Sequence, residues 1–262
     1  MPPPSVERIL DVAGVANLRD YGGYPVSGGG RMRRGLLFRS GDLSAAEAQG
    51  RERLGALGLS AIVDLRSEAE RSQSPSRLPL DFQGAVVSAK SYLAARAPHV
   101  AALSETPSAD SVRASLRRAY ARIPFQAPMI DVFGLYFRTL VETPGPTLVH
   151  CAAGKDRTGI AVALLQSALG VHSDDIMADF LLTNLAAAAD GRLEAGAERL
   201  RRVYGASIPP DAVQAALGVD PTYLQAMFDA VGDRGGVSVY LAETLGVSHG
   251  EADRLRDRVL TA

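Results

Sequence analysis

The chain has 262 residues, 47% hydrophobic and 22% charged, with a formal net charge of -1. That length makes one large domain or two small ones and buries about 70–75% of the unfolded surface, so no disulfide or metal is needed to hold a core. The near-neutral balance argues against non-specific nucleic-acid binding, and the single cysteine, Cys151, excludes an intrachain disulfide and a cysteine-rich zinc site.

The start, Met1-Pro2-Pro3-Pro4, lacks the basic residues and apolar run of a signal peptide. No apolar run reaches the roughly 18 residues of a membrane span. The expectation is a soluble protein of a reducing compartment, cytoplasmic by default, without stable membrane insertion. Export without a cleaved signal stays open, as does the oligomeric state. Lysine occurs only at Lys90 and Lys155, in a chain that otherwise uses arginine.

Residues 14–41 are rich in Gly and Arg, and Gly28-Gly29-Gly30 marks a turn between short extended segments. Leu36-Leu37-Phe38 reads as a strand. Leu43–Leu57 reads as a helix with Ser44 as N-cap and Gly58 as terminator. Ala61–Leu65 is a short apolar run, read as a buried parallel strand, and Gly84–Ser88 as another. In Ser111–Ile123, Val112, Leu116, Tyr120 and Ile123 fall at helical spacing, with four arginines on the remaining faces. Ile130–Leu140 is a second apolar helix. Prolines cut up 90–140, which reads as either a helical lid inserted over a site or ordinary helical packing. Thr147-Leu148-Val149 reads as a buried strand and Thr158–Leu169 as an apolar helix ended by Gly170. Ser173–Leu260 reads as helical, with breaks near Gly191, Gly205, Pro209–Pro210, Gly218, Gly232–Gly236 and Gly246. No linker separates two cores. Strands alternating with helices, then helices alone, predict a single α/β domain over 1–262 with a helical C-terminal part.

The segment His150–Gly159 lies between a predicted strand and a predicted helix. A Gly-containing loop there gathers backbone N–H groups from Ala152, Ala153, Gly154, Lys155, Asp156, Arg157 and Thr158 at the positive end of a helix dipole, a site for a phosphate-like anion. Cys151 opens the loop, where the helix end, Lys155 and Arg157 favour the nucleophilic thiolate. Arg157 lies six positions later, so the loop can return its planar fork over the same anion. His150 is read as a support of the loop, against an ordinary core histidine. Thr158 either caps the helix or donates to the Cys151 sulfur. Asp156 has two readings. As a general acid it would be pushed toward its protonated form by the thiolate and phosphate; as a first-turn helix acid it would be held ionised by Arg157 and the dipole. Lys155 is read as contacting a second negative group on the substrate.

This loop resembles the signature H-C-x5-R-[ST] of the protein tyrosine phosphatase superfamily, matched at His150, Cys151, Arg157 and Thr158. Asn17–Tyr24, Leu37–Ser40, Val63–Ser67 and Phe180–Asn184 are similar to the bacterial and fungal tyrosine/serine phosphatase branch, and the likeness spans most of the chain. The resemblance implies a protein tyrosine phosphatase-like α/β fold, with a central, mostly parallel sheet flanked by helices. It implies hydrolysis of phosphate monoesters through a phosphocysteine, with neither metal nor cofactor. The expected partners are phosphotyrosine, phosphoserine/threonine or phosphoinositide substrates. Residue by residue, Cys151 would be the nucleophile, Arg157 the phosphate clamp, Lys155 a substrate contact and Asp156 the acid. The larger branch carries its acid on an upstream Trp-Pro-Asp loop, and this chain has no tryptophan. Asp64, at the end of a predicted parallel strand, is therefore the second candidate acid, against an ion pair with Arg66 or Arg19. Arg19, Asp20, Arg39 and Arg66 either line the site or form a structural network. The competing functions are a phosphate-binding module without turnover and a rhodanese-like sulfur transferase.

Overall fold

Three tetrapeptides, β3 (Leu37–Ser40), β4 (Ala61–Asp64) and β6 (Thr147–His150), are buried at every position in a computed structural model that describes residues 8–89, 108–189, 192–204 and 208–261. Burial on both faces is what short parallel strands between helical layers require. With β1 (Arg19–Asp20) and β5 (Ala85–Ser88) they form one sheet in the order β1-β3-β6-β4-β5. Strand β1 is antiparallel to β3, and the other pairings are parallel.

Side chains alternate between the two faces of a strand. Phe38, Leu148 and Ile62 stand abreast and join Leu43 and Leu54 in a core on one face. Leu37, Val63 and Val149 join the larger core on the other. The same register sets Ser40, His150 and Asp64 side by side at the C-terminal ends of β3, β6 and β4. Parallel strands converge their exits at that edge, where α/β sheets bind ligands.

The smaller core lies under α1 (Ala48–Gly55). The larger is covered by α3 (Ala109–Arg122), α4 (Ala127–Glu142) and α5 (Asp156–Leu169), introduced after the short α2 (Glu68–Gln73). In α3, Val112, Leu116 and Tyr120 are fully buried, as their spacing predicts. Helix α4 buries Phe133, Tyr136 and Phe137. The C-terminal part is helical: α6 (Ser173–Ala189), α7 (Arg192–Tyr204), α8 (Pro210–Leu217), α9 (Pro221–Gly232), a turn through Val237–Thr244 and α10 (His249–Val259). No helix among the described residues is long and apolar enough to cross a membrane.

Several boundaries differ from the sequence reading. Helix α1 starts at Ala48 and not near Leu43, because Asp42 takes both the Ser44 N–H (2.9 Å) and its hydroxyl, so Ser44 sits in a turn and caps nothing. The end of the chain is not helical: β7 (Leu260–Thr261) pairs with β2 (Arg31–Met32). Helix α5 begins two residues early, at Asp156, and ends as expected at Gly170 in the left-handed region. Residues 90–107 of the expected lid, and the breaks at Gly191 and Gly205, lie outside the described residues.

Candidate active site

Cys151 follows β6 directly and is buried. From there the chain runs through Ala152–Lys155 into α5, the predicted strand-loop-helix. Gly154 makes the loop possible. Its φ is +63°, and a Cβ there would sit 2.4 Å from the Ser40 carbonyl oxygen.

The loop's carbonyls are tied outward. Ala152 O accepts from the Asp42 N–H (3.0 Å). Gly154 O accepts from Asn17 Nδ2 (2.9 Å) and Arg39 Nη2 (3.1 Å). In a trans peptide the N–H points opposite to the carbonyl. The following amides, of Ala153 and Lys155, therefore point away from those tied carbonyls.

Behind the loop lies a buried network. Asp179, on α6, takes Arg39 Nη1 at 2.8 Å and Arg19 Nε at 3.3 Å, and Arg19 also donates to Asn17 Oδ1 at 2.5 Å. Burial raises the Asp179 carboxyl, and the two guanidinium groups outweigh it, holding it below the carboxylate range. Burial and the neighbouring Arg39 lower Arg19 to about 10. Asn17, Arg19 and Arg39 therefore act on the loop through the Gly154 carbonyl.

Arg157 folds back toward the end of β4. Its Nη1 donates to Leu65 O (3.2 Å) and Glu70 Oε2 (2.8 Å), and its Nη2 to Glu70 Oε1 (2.6 Å). Leu65 is joined to the Cys151 strand, its N–H donating to His150 O at 2.8 Å. The guanidinium thus stands beside the strand exit that carries the sulfur, held by a two-point carboxylate. Glu70 is itself fixed as the N3 residue of a capping box with Ser67. Burial raises its carboxyl, and the hydrogen bonds and charge of Arg157 outweigh that, bringing it to about 2.

A tyrosine phosphatase family profile matches residues 10–261. A Cupriavidus necator protein named as a tyrosine-protein phosphatase is 34% identical, covering 89% of this chain and 82% of its own. The Mycobacterium tuberculosis triple specificity protein phosphatase PtpB is 28% identical, covering 96% and 99%. A Nostoc commune tyrosine-protein phosphatase is also 28% identical, covering 85% and 74%. The chain belongs to the tyrosine phosphatase family. Its mostly parallel sheet flanked by helices fits that fold, and its relatives support phosphatase activity.

His150 is fully buried, with Nδ1 3.4 Å from Cys151 O and Nε2 3.6 Å from Asp64 Oδ2, too far for a hydrogen bond. Burial lowers its imidazole below the ordinary value, against the pull of Asp64. Asp64 is gripped by Arg66 through Nε (2.9 Å) and Nη2 (2.7 Å). Burial raises the Asp64 carboxyl, and the Arg66 hydrogen bonds and His150 more than offset it, leaving it lowered. Asp20 lies away from the loop, accepting from the Gly22 and Gly35 amides.

Asp156 opens α5 and is buried. Its Oδ1 accepts from Tyr120 Oη at 2.7 Å and lies 3.6 Å from Lys155 Nζ. Lys155 is itself buried and donates to Ala216 O (2.7 Å) at the C-terminal end of α8. Thr158 lies inside the first turn of α5 and caps nothing, and its Oγ1 finds no hydrogen-bond partner among the described residues.

A cavity of about 800 Å³ lies at the opposite end of the sheet, against Ser60 and Gly84, away from this chemistry. Another, of about 340 Å³, is lined by Arg113, Gln214 and Tyr223 near the helix that Lys155 reaches.

Sequence reasoning missed Glu70, Asp179 and the polar role of Tyr120. Ser67-x-x-Glu70 was readable as a capping box, but not its grip on Arg157. Asp179 carries no local signal. Tyr120 fell on the apolar face of α3 and read as core.

Proposed function

We propose that this protein hydrolyses phosphate monoesters through a phosphocysteine intermediate. Phosphotyrosine is the first substrate, with phosphoserine, phosphothreonine and phosphoinositides to be compared against it. One observation carries the reading: Arg157, six residues after Cys151, returns to the end of β4 beside the strand exit that bears the sulfur. A phosphate seated on the loop would meet the sulfur on one side and the guanidinium fork on another. That positioning and charge neutralisation supply most of the catalysis.

In the first step the Cys151 sulfur attacks phosphorus and an S–P bond forms. The P–O bond to the leaving group breaks, its electron pair stays on the leaving oxygen, and Asp156 supplies the proton. In the second step water attacks phosphorus, the S–P bond breaks back to the thiolate, and the Asp156 carboxylate takes the water's proton. Asp156 is preferred over Asp64 as the acid because Arg66 grips both Asp64 oxygens and lowers its carboxyl. Asp64 is assigned to holding Arg66 and facing His150. The Lys155 ammonium has three donors and gives one to Ala216 O, so it has donors left for a second anionic group on the substrate. The whole chain is read as one phosphatase domain, with α3 over the loop.

The test is phosphate release from a phosphotyrosine peptide, phosphoserine and phosphothreonine peptides, and phosphatidylinositol phosphates, with Cys151→Ser as the blank. The expected result is release from the phosphotyrosine peptide, absent in the blank and insensitive to chelators. Lipids matching the peptides would assign Lys155 to phosphoinositide recognition. Silence on every substrate with vanadate binding retained would overturn turnover in favour of a binding module. Cyanide-dependent thiocyanate formation would replace the reading with sulfur transfer.

A further inference from the structure

We propose that Tyr120 is the positioning residue for the general acid, an inference that rests on Asp156 being that acid. Tyr120 lies on the inner face of α3, fully buried, and its hydroxyl donates to Asp156 Oδ1 at 2.7 Å. Its ring is fixed on two sides, edge-on to Phe180 at 6.0 Å and tilted against Tyr223 at 5.6 Å. Val112 and Leu116 anchor the helix beneath it. The hydroxyl is therefore a rigid donor whose place is set by core packing and not by the loop.

The geometry divides the labour of the carboxyl. Tyr120 and Lys155 both approach Oδ1. Oδ2 takes no hydrogen bond among the described residues, so it is the oxygen left to carry the proton to the leaving group. Tyr120 remains a donor throughout, because burial and the adjacent Asp156 hold its own proton well above the ordinary phenol range. The other charged or titratable groups around the pair are Lys155, Cys151, Arg39 and Tyr223. All of them stay in place when Tyr120 alone is changed.

The experiment compares wild type, Tyr120→Phe, Asp156→Asn and the double variant on aryl and alkyl phosphates of rising leaving-group basicity, across pH. In Tyr120→Phe the alkaline limb of kcat/KM should move up by about one pH unit, since one hydrogen bond to a charged group is lost. Turnover of basic leaving groups should fall about tenfold, with little change for p-nitrophenyl phosphate. The same substitution should add nothing in the Asp156→Asn background. Fluorotyrosine at position 120, a stronger donor of nearly the same shape, should move the limb down. Opposite shifts from two near-isosteric changes would not arise from a role in packing alone. If Asp156→Asn steepens the leaving-group dependence while neither change at 120 moves the limb, the role of Tyr120 is overturned and the acid stands. If Asp156→Asn leaves the leaving-group dependence as in wild type, the acid assignment falls and this inference falls with it.

Discussion

Glu70→Gln isolates the carboxylate that aims Arg157, with almost no change in shape. Held down to about 2 from the ordinary 4.5, the Glu70 carboxyl would contribute about 3 kcal/mol at ~1.4 kcal/mol per pH unit. The side chain is 26% exposed, so solvent screening leaves about 1–2 kcal/mol at neutral pH. For a chain of this size that is a fall of about 2–6 °C in Tm. The folded-state value lies below the unfolded one, so this stabilisation is complete above pH 4.5 and is lost as pH falls toward about 2. The gap between wild type and variant should close over that same window. The amide keeps one acceptor for the two Arg157 nitrogens, so the fork is held at one point and swings. A clamp displaced by a fraction of an ångström should cost about tenfold in kcat/KM and a similar factor in vanadate affinity. Thermal unfolding between pH 2 and 8 and vanadate titration read the two effects separately. A variant with wild-type vanadate affinity and kcat/KM would refute the view that Glu70 sets the phosphate clamp, whatever its Tm.

Cys151→Ser should abolish phosphate release from a phosphotyrosine peptide while leaving Tm within about 2 °C, because the swap is nearly isosteric. Loss of folding would show that the thiol matters chiefly to the core. Gly154→Ala should destabilise by about 1–3 kcal/mol in urea and cut kcat, since its Cβ would meet the Ser40 carbonyl at 2.4 Å and its φ is +63°. An alanine variant with native stability would mean that the loop backbone re-forms freely. Asp179→Asn should cost about 3–5 kcal/mol, because two buried guanidinium groups lose their shared carboxylate. A urea midpoint within error of wild type would contradict that pairing.

The order of the strands in the sheet, with β6 inserted between β3 and β4, is not written in any local run of residues. Strands β3, β4 and β6 were legible as short apolar segments, because burial on both faces leaves a continuous apolar signature, whereas β1 (Arg19–Asp20) offers no such run. Their register was not, since it depends on which helices pack on which face. Helix α1 shows the limit of local reading: Ser44 has the chemistry of an N-cap, but Asp42 claimed it first. The reading of 90–140 as a lid or as packing divides in the same way. Helix α4 carries core aromatics, α3 lays Tyr120 over the loop, and 90–107 lies outside the described residues.

The sequence by itself determined the strand-loop-helix that carries a thiol, a glycine and a guanidinium in one short run. Such determination is local, because Cys151 and Arg157 lie six positions apart on one strand-loop-helix. Only the tertiary structure decided who holds those groups. Glu70 reaches Arg157 from 87 residues away, and Tyr120 reaches Asp156 from 36. Asp179 reaches Arg19 from 160 residues away. A carboxylate or phenol carries no mark of its distant partner in the sequence. The pairing is chosen when apolar faces pack and every buried polar group must find the partner that packing puts within reach.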